Sequence, residues 1–481
     1  MNTLNTYAPL LEMLCQIVGS DNVINQGDLS AWERDWRQRQ RGKALAVVRP
    51  AHTEEVAAVV RACAAAQVSI VPQGGNTGMV LGSIPDGSGT QIVLSLQRMN
   101  RVRALDAANL TITLDAGCVL QSVQEICSDA GFLFPLRMAS EGSCTIGGNL
   151  GTNAGGTQVV RYGNARELCL GLEVVTPQGA IWDGLTGLRK DNTGYDLRHL
   201  LIGSEGTLGV ITAAVMKLYP LPRVQLTAFA AVPSLEAAVD LLALAHEQLD
   251  GGLSGFEVMG HFALSLVGRH FPHLRLPLQE SKTPYNVSVE YSSQDTQENA
   301  HARFESLMAL ALERGHANDA IVAKSSTQAR QLWHIRESIP LAQAQEGLNI
   351  KHDIALAASR IAEFVQQTDA LLAQAYPGVR LVNYGHLGDG NLHYNVQAPE
   401  NCDAAAFLQE HESAVHALVY AQVARHQGSI SAEHGIGSLK RDVLAQHKSP
   451  VALAMMRAIK HALDPLNTMN PGRVIQITNN K

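Results

Sequence analysis

The region between residues 44 and about 222 constrains the fold most strongly, because short β-rich runs alternate there with glycine-rich turns. The runs are ALAVVRP, VSIVPQGG, QIVLSL, LTITLDAG, LGLEVVTPQGAIW and LGVITAAVMKLYPLP. Runs that are rich in Val and Ile and bounded by Gly or Pro predict strands. A helical pattern beginning near Thr53 separates the first two runs, so this region predicts a β-α-β start and one α+β domain.

A second region begins near residues 220 to 223, where glycines become fewer and longer helical patterns appear. Helical patterns such as SLEAAVDLLALAHEQL are interleaved there with strands such as YNVSVEYSS. Two later helices are predicted over residues 404 to 426 and 450 to 463, and two prolines set an irregular closing segment after the second. A chain of 481 residues is too long for one core, so we predict two or three domains.

Three glycine-rich segments in the first region indicate more than ordinary loops. They cover residues 72–85 (PQGGNTGMVLGSIP), 140–156 (SEGSCTIGGNLGTNAGG) and 203–212 (GSEGTLGVIT). Unobstructed backbone N–H groups can wrap a pyrophosphate, and the Ser, Thr and Asn side chains of the second segment can donate to phosphate or to a ring system. The spacing is not the GxGxxG of a Rossmann site. For each segment alone, a tight turn is an equal alternative.

A pair of histidines lies in residues 383–394, which read NYGHLGDGNLHY. Side chains alternate along a strand, so an offset of seven would put His386 and His393 on opposite faces of one strand. The Gly388-Asp389-Gly390 step supplies a turn, since glycine accepts positive φ and Asp-Gly is a strong hairpin signal. We therefore predict a hairpin that brings the two imidazoles together near its mouth.

A carboxylate and a third histidine, Glu433 and His434, follow in SAEHGIG at residues 431–437. His386, His393 and Glu433 make three ligands and leave a position open for water or substrate, which is typical of a catalytic metal site. The order lacks HExxH spacing, which disfavours a zinc peptidase. Histidines at the surface beside a turn are the alternative for the pair.

Charge and cysteine content argue against several classes of protein. The net charge of −7 disfavours a general nucleic-acid-binding role, and the basic run RDWRQRQRGK is interpreted as a solvated segment. Seven scattered cysteines without a CxxC pair disfavour a disulfide framework and indicate a reducing compartment. The first residues lack a basic signal-peptide region, and no apolar run approaches the roughly 20 residues of a transmembrane helix. We expect a soluble cytoplasmic protein.

A family resemblance rests on six blocks that occur in order between about residues 35 and 474. The blocks are PQGGNTGMVLGSIP, GSCTIGGNLGTNAGG, RYGNARELCLGLEVV, LRKDNTGYDLRHLLIGSEGTLGVIT, NYGHLGDGNLHYNV and SAEHGIGSLKRD. Together they resemble the flavin-dependent D-2-hydroxy-acid dehydrogenases of the vanillyl-alcohol-oxidase fold, and among these the hydroxyglutarate enzymes most. The resemblance implies an α+β chain with three parts. An N-terminal helix and a PCMH-type FAD-binding domain span 1–222, an α+β substrate (cap) domain spans 223–425, and a helical C-terminal segment, 426–481, returns to the FAD domain and completes the active site.

The resemblance also implies the cofactors. Residues 72–85 contain neither His nor Cys, so FAD is expected to be bound noncovalently. The expected divalent metal is zinc, with manganese or iron as alternatives. The expected FAD contacts are Pro72, Gln73, Gly74, Gly75, Asn76, Thr77, Gly78, Ser140, Gly142, Ser143, Thr145, Gly148, Asn149, Thr152, Asn153, Gly206, Val210 and Asn470.

The expected chemistry is oxidation of the hydroxyl-bearing carbon of a D-2-hydroxy acid, which also requires removal of the hydroxyl proton. A metal held by His386, His393 and Glu433 would assist, as metals lower the pKa of bound water from about 15.7 to about 7. His434 is then the candidate general base, with a structural histidine as the alternative. Asn395 lies on the same strand face as His393 and is expected to bind the substrate.

A dicarboxylate substrate such as D-2-hydroxyglutarate requires cations, and Arg336 and Lys351 are the expected ones. A guanidinium can grip a carboxylate with two parallel hydrogen bonds. The alternative for Arg336 is an ion pair with a glutamate on its own helix. Pro340 stands where some hydroxyglutarate enzymes have a threonine, so D-lactate and D-malate remain alternative substrates.

Three other functions compete with this hypothesis. An oxidase that uses oxygen directly or acts on a sugar alcohol has no evident need for a two-His-one-Glu site. A metallohydrolase without flavin leaves the three glycine-rich segments unexplained. A noncatalytic FAD-fold subunit would not require the His386, His393, Glu433 and His434 set. For the enzyme, we expect an external electron acceptor such as an electron-transfer flavoprotein or a quinone, and a homodimer.

Overall fold

The chain forms two compact units in a computed structural model that describes residues 3–249 and 251–477. Unit 1 consists of Met1–Gly155, Asn164–Leu221 and Glu433–Lys481. Unit 2 consists of Gly156–Gly163 and Pro222–Ala432. Among the described residues, no helix combines the length and the apolar character needed to cross a membrane.

The secondary structure is numbered here in chain order. The helices are α1 (Thr3–Val18), α2 (Ser30–Glu33), α3 (Thr53–Ala65), α4 (Leu120–Asp129), α5 (Ile146–Thr152), α6 (Val159–Tyr162), α7 (Ala165–Leu168), α8 (Leu197–Leu201), α9 (Leu235–Gln248), α10 (His261–His270), α11 (Gln297–Glu313), α12 (Ser326–Glu346), α13 (Ala358–Ala375), α14 (Ala404–Arg425), α15 (Arg441–His447) and α16 (Pro450–Leu463). The strands are β1 (Val23–Ile24), β2 (Ala44–Val48), β3 (Ile70–Gln73), β4 (Gln91–Ser95), β5 (Val102–Asp106), β6 (Thr111–Asp115), β7 (Phe132–Leu133), β8 (Cys169–Val175), β9 (Ile181–Gly184), β10 (Val210–Lys217), β11 (Tyr219–Pro220), β12 (Val224–Val232), β13 (Leu253–Gly260), β14 (Tyr285–Ser293), β15 (Asp319–Val322), β16 (Asn349–Ile350), β17 (Asp353–Ala355), β18 (Arg380–Gly385) and β19 (Asn391–Gln397).

Unit 1 contains two main sheets. The first has the order β1-β2-β4-β3, with β2, β4 and β3 parallel, and α3 connects β2 to β3. The predicted β-α-β start and the helix that begins at Thr53 are therefore confirmed. The second sheet is antiparallel, in the order β5-β6-β10-β8-β9. Every residue of β8 is buried. Its sequence is therefore apolar throughout, apart from one glutamate.

The last part of unit 1 returns to the first sheet. Helix α16 begins as predicted, with Pro450 in its first turn and the Ser449 side chain accepting a hydrogen bond from an N–H of that turn. Beyond the helix, the amide of Asn470 donates to the carbonyl of Ile70 in β3, at 2.8 Å. The buried Lys460 ammonium donates to the carbonyl of Met469, also at 2.8 Å. These bonds hold the closing segment against β3.

Unit 2 is built on one large sheet with the strand order β15-β12-β14-β13-β18-β19-β16, and β17 also pairs with β19. Helices α10 and α12 supply side chains to a buried cluster with this sheet, for example Ile335 and Ile339 against Phe229, Met259 and Val382. Burial of several such aliphatic and aromatic side chains, each contributing about 1.5–3 kcal/mol, gives unit 2 its own core.

Strands β18 and β19 form the predicted hairpin, with Tyr384 opposite His393. A single 3₁₀ turn over Leu387–Asp389 connects them. Gly390 ends this turn at φ +83°, and a Cβ there would lie 2.0 Å from the carbonyl oxygen of Leu356. The conformation and the close approach both require glycine at this position.

Candidate active site

The first two glycine-rich segments touch each other in unit 1. A Cβ on Gly74 would lie 2.2 Å from Oγ1 of Thr145, and a Cβ on Gly75 would lie 1.9 Å from the carbonyl oxygen of Ser143. The two backbones can approach this closely only because the side chains are absent. Thr145 also begins helix α5, where its side chain accepts a hydrogen bond from the amide of Gly148.

Asn470 joins the third glycine-rich segment to the first. Its Nδ2 donates to the carbonyl of Gly82 at 2.9 Å and to that of Glu205 at 2.8 Å. Gly206, the next residue, has a φ of +69° and packs against Pro72 in the first segment. The three segments and the closing part of the chain therefore meet at one place within unit 1.

Several polar side chains expected to contact FAD are engaged within the protein. Nε2 of Gln73 donates to the carbonyls of Trp32 and Ser83, at 2.9 and 2.7 Å. Nδ2 of Asn76 donates to two further carbonyls of the α2 region, at 3.1 and 2.9 Å. Because the amide groups of Gln73 and Asn76 donate within the protein, the backbone amides of the first segment are better available as donors to FAD than these two side chains.

Asn149 provides a direct test of whether this place suits a flavin nucleotide. Its Nδ2 is buried and has no hydrogen-bond partner among the described residues. Buried amide groups without a partner are rare in folded proteins, so this donor points to a polar group that the protein does not supply. Together with the close-packed glycine backbones, it fits the phosphates or the polar ring edge of FAD.

The two hairpin histidines come together in unit 2, as predicted. The ring centroids of His386 and His393 are 5.6 Å apart, and both side chains are largely buried. The ring of Tyr384 lies 4.9 Å from that of His393. On the other side of β19, Asp353 in β17 is the register partner of His393. Because the turn reverses the chain, His386 and His393 lie in one cluster although an offset of seven would place them on opposite faces of a single strand.

A buried glutamate that the sequence analysis missed stands behind His386. Oε1 of Glu257, in β13, lies 2.5 Å from Nδ1 of His386, and Oε2 accepts from Nε of Arg336 at 2.7 Å. Burial alone would raise the pKa of Glu257, but His386, when its ring is protonated, and the guanidinium of Arg336 outweigh burial and hold the pKa at about 2. The one available signal was a single carboxylate inside the otherwise uncharged strand sequence LSGFEVMG.

Arg336 extends from α12 over the ring of Tyr384, with its guanidinium carbon 4.8 Å from the ring centroid. Its ion-pair partner is Glu257 on another element, so the alternative of a glutamate on its own helix is wrong. The guanidinium uses only Nε in this bond. The two terminal nitrogens keep the geometry with which arginine grips a carboxylate.

Asn395 lies two residues beyond His393 and has a fixed amide orientation. Its Oδ1 accepts from the amide of His352 at 3.1 Å, and its Nδ2 donates to Oε1 of Gln343 at 2.9 Å. One N–H of the amide group is not used in these two bonds. Lys351, between β16 and β17, is partly exposed.

Two family models match the chain. Residues 44–184 match the FAD binding domain, and residues 221–474, more than half of the chain, match the FAD linked oxidases, C-terminal domain. The chain belongs to the FAD-linked oxidase family. It is therefore an FAD-dependent dehydrogenase, and the predicted flavin cofactor is confirmed.

Curated relatives of this FAD-linked oxidase cover most of its length. It is 39% identical to D-2-hydroxyglutarate dehydrogenase of Xanthomonas citri pv. viticola, over 93% of each chain. It is 40% identical to the mitochondrial D-2-hydroxyglutarate dehydrogenase of Rattus norvegicus, over 94% of this chain and 82% of that one. A putative mitochondrial D-lactate dehydrogenase of Schizosaccharomyces pombe is 35% identical, over 95% and 87%.

Solved structures show the same fold at low identity. The chain covers 99% of p-cresol methylhydroxylase with 100% of its own length, at a TM-score of 0.78 and 16% identity. It covers 84% of an alkyldihydroxyacetonephosphate synthase with 97% of its own chain, at a TM-score of 0.71 and 16% identity. The predicted PCMH-type FAD-binding fold is confirmed.

The predicted site residues divide between the two units. All predicted FAD contacts lie in unit 1, whereas Arg336, Lys351, His386, His393 and Asn395 lie in unit 2. Glu433 and His434 are the first residues of the last part of unit 1. Their side chains are neighbours, with His434 Nε2 3.9 Å from Glu433 Oε1.

The chain on either side of Glu433 and His434 is held by carboxylates. Before them, the amide of Ala432 donates to Oδ2 of Asp353 at 3.2 Å, within unit 2. After them, within unit 1, the amides of Ile436 and Gly437 each donate to Glu205 at 2.7 Å. Burial raises the pKa of Glu205, while these two amides favour its ionised form.

Proposed function

We propose that this FAD-dependent dehydrogenase oxidises a D-2-hydroxy acid, D-2-hydroxyglutarate above all, to the 2-oxo acid. The arrangement that carries the proposal is the arginine of α12 stacked on Tyr384 beside the two hairpin histidines. It offers a cation for a carboxylate within the same side-chain cluster as a potential metal site. The names of the relatives, which cover most of the chain, support a dicarboxylate hydroxy acid.

His386, His393 and Glu433 are the proposed metal ligands. The support for Glu433 comes from the chain itself. Ala432 is hydrogen-bonded to Asp353, the register partner of His393, and consecutive Cα atoms are only about 3.8 Å apart. Two imidazoles and a carboxylate suit zinc, manganese or iron. A divalent cation bound there would act as a Lewis acid toward the substrate hydroxyl.

The other side chains bind the substrate and move its proton. Arg336, assisted by Lys351, is proposed to bind the second carboxylate of a dicarboxylate substrate. Asn395 donates its remaining N–H to the carboxylate or hydroxyl next to the reacting carbon. His434 accepts the hydroxyl proton as a general base. FAD held by the glycine-rich segments of unit 1 would supply the hydride acceptor.

Steady-state turnover with an artificial electron acceptor tests the substrate. D-2-Hydroxyglutarate should give a higher kcat/KM than D-lactate or D-malate, and L-2-hydroxyglutarate should be inactive. D-Lactate is the second candidate, because Pro340 occupies the substrate-binding helix and one relative carries that name. A higher kcat/KM for D-lactate would transfer the assignment to it, and no turnover with any of the four acids would refute the proposal.

Metal content tests the metal centre. The wild type should bind zinc stoichiometrically, lose turnover on chelation and recover it when zinc or manganese is restored. His393→Ala should bind neither ion, whereas His246→Ala, an exposed histidine on α9 of the same unit, should bind like the wild type. Full turnover after complete metal removal would contradict the metal role.

The electron acceptor and the assembly also belong to the proposal. An electron-transfer flavoprotein or a quinone is the proposed acceptor, and a cytoplasmic homodimer is the proposed form of the protein.

A further inference from the structure

Each carboxylate oxygen of Glu257 accepts a hydrogen bond from a different group. Oε1 faces Nδ1 of His386 at 2.5 Å, and Oε2 faces Nε of Arg336 at 2.7 Å. None of the Glu257 side chain is exposed, and only 7% of that of Arg336 is. A buried carboxylate in this position must have both oxygens satisfied, and it does.

The donor and acceptor capacities of these groups determine which ring nitrogen of His386 carries the proton. Arg336 is always protonated and can only donate, and a carboxylate paired with it can only accept. Nδ1 of His386 must therefore carry the proton that it shares with Glu257. In the neutral ring, the lone pair then lies on Nε2, so Nε2 is the nitrogen through which His386 can bind a metal.

The contacts of Glu257 also connect the metal ligands to the substrate-binding cation. From Arg336, the guanidinium stacks on Tyr384 at 4.8 Å, and the Tyr384 ring meets His393 at 4.9 Å. The ring of His393 is 5.6 Å from that of His386, which returns to Glu257. Five side chains on α12, β13, β18, the β18–β19 turn and β19 thus form a closed circuit within unit 2.

We propose that Glu257 is a positioning residue with two duties: it sets the nitrogen by which His386 binds the metal, and it holds Arg336 in place for the second carboxylate of the substrate. This inference rests on the proposed function. Loss of a hydrogen bond to a metal-binding histidine commonly lowers metal affinity by about 10- to 100-fold.

The substitution Glu257→Gln tests the first duty, because an amide has one acceptor where a carboxylate has two. The single oxygen must serve Nε of Arg336, which can only donate, and the NH₂ group then faces Nδ1 of His386. That forces the proton of His386 onto Nε2 and blocks the metal. We expect zinc affinity to fall by about 10-fold or more, the range known for such groups.

A second substitution separates this explanation from general damage. In Glu257→Gln/Arg336→Met the competing donor is gone, so the amide oxygen can turn to His386 and restore its tautomer. Zinc affinity should recover most of the loss, although Arg336 itself is absent. Glu257→Leu/Arg336→Met has no acceptor for His386 and should stay weak. Both double variants avoid the buried unpaired charge that can unfold Glu257→Gln alone.

The matched control is Glu290→Gln on the neighbouring strand β14. Glu290 is also buried, but one oxygen, Oε1, accepts from both Gln158 and Ser254. An amide oxygen can replace that oxygen, so zinc affinity should match the wild type. FAD absorbance and the melting temperature of every variant report whether the protein is folded.

The second duty is tested by kinetics at saturating zinc. Glu257→Gln should raise KM for D-2-hydroxyglutarate more than KM for D-lactate, which lacks the second carboxylate. The proposal would be overturned if wild type and Glu257→Gln bound zinc equally well in a chelator competition. It would also be overturned if the two double variants bound zinc equally. A wild type that binds none of zinc, manganese and iron would instead refute the proposed metal centre, and this inference with it.

Discussion

At the scale of single residues, one carboxylate and one histidine carry different parts of the chemistry. Glu257 is sealed inside unit 2 and acts only through His386 and Arg336. His434 is about a quarter exposed, and its neighbour Glu433 is a proposed ligand. A general base must exchange its proton with solvent after each turnover, so partial exposure suits His434 and full burial suits Glu257.

His434→Ala should retain FAD and metal but lose kcat by at least about 100-fold, the lower range for general-base catalysis. The loss is expected because no other group would take the hydroxyl proton. Turnover, flavin absorbance and metal content of the same preparation provide the measurement. His246→Ala is the control, and a His434→Ala enzyme with full activity would remove His434 from the mechanism.

Arg336→Met should raise KM for D-2-hydroxyglutarate by about 10- to 100-fold, since a hydrogen bond to a charged group contributes about 1.5–3 kcal/mol. KM for D-lactate should change much less. Parallel measurements of both substrates with one enzyme preparation check the ratio. An equal rise for both acids would mean that Arg336 binds the carboxylate common to them, or only maintains the fold.

At the scale of elements, the β18–β19 hairpin depends on its turn and on the helix behind it. Tyr394 in β19 donates its hydroxyl to Asp369 in α13 at 2.5 Å; Tyr394 is buried and Asp369 is partly buried. Burial raises the pKa of Asp369 to about 6, against the favourable effect of hydrogen bonds from Tyr394 and Asn383.

Asp369→Asn should stabilise the protein more at pH 8 than near pH 5. Because the folded state raises the pKa of Asp369 from 3.8 to about 6, the contribution of Asp369 is fully favourable only below pH 3.8. It is lost as the pH rises from 3.8 through about 6, by about 3 kcal/mol in full and by about half of that near pH 5. Melting temperatures of the variant and the wild type at both pH values test this. The same change at Asp129, an exposed residue of α4, is the control.

Gly390→Ala should lower the melting temperature clearly more than Gly131→Ala. Both glycines have a φ of +83°, so the strain of the left-handed conformation, about 1 kcal/mol, is common to both. Only at Gly390 would the new Cβ meet an atom, the carbonyl oxygen of Leu356 at 2.0 Å; Gly131 has open space. Equal effects on melting would show that the turn is not tightly packed. Zinc affinity should also fall in Gly390→Ala alone.

The sequence predicted these elements well where the signal is local. The hairpin followed from the Gly-Asp-Gly step, and helix α16 followed from its apolar period and its flanking prolines. Glu257 and its partner His386 are 129 positions apart, and no local period encodes such a pair. The partner of Arg336 was misassigned for the same reason, since only the folded sheet brings β13 to α12.

At the scale of the whole molecule, the chain passes between two units with different tasks. Unit 1 holds the glycine-rich segments that the FAD-binding family model covers, and unit 2 holds the histidine hairpin and Arg336. The glycine content of the sequence changes near residue 222, where the chain passes from Leu221 of unit 1 to Pro222 of unit 2, but nothing in the sequence indicated that Gly156–Gly163 belongs to unit 2. The segment Gly156–Gly163 consists mainly of the single short helix α6, whose sequence is not distinctive.

The central claim is that a D-2-hydroxy acid reduces the bound flavin with the help of a metal, and anaerobic absorbance of the purified protein tests it most directly. We expect D-2-hydroxyglutarate to bleach the flavin bands, the bleaching to disappear after chelation, and zinc or manganese to restore it. L-2-Hydroxyglutarate should leave the flavin oxidised throughout. A flavin that stays oxidised with D-2-hydroxyglutarate, D-lactate and D-malate in the metal-loaded protein would contradict the claim.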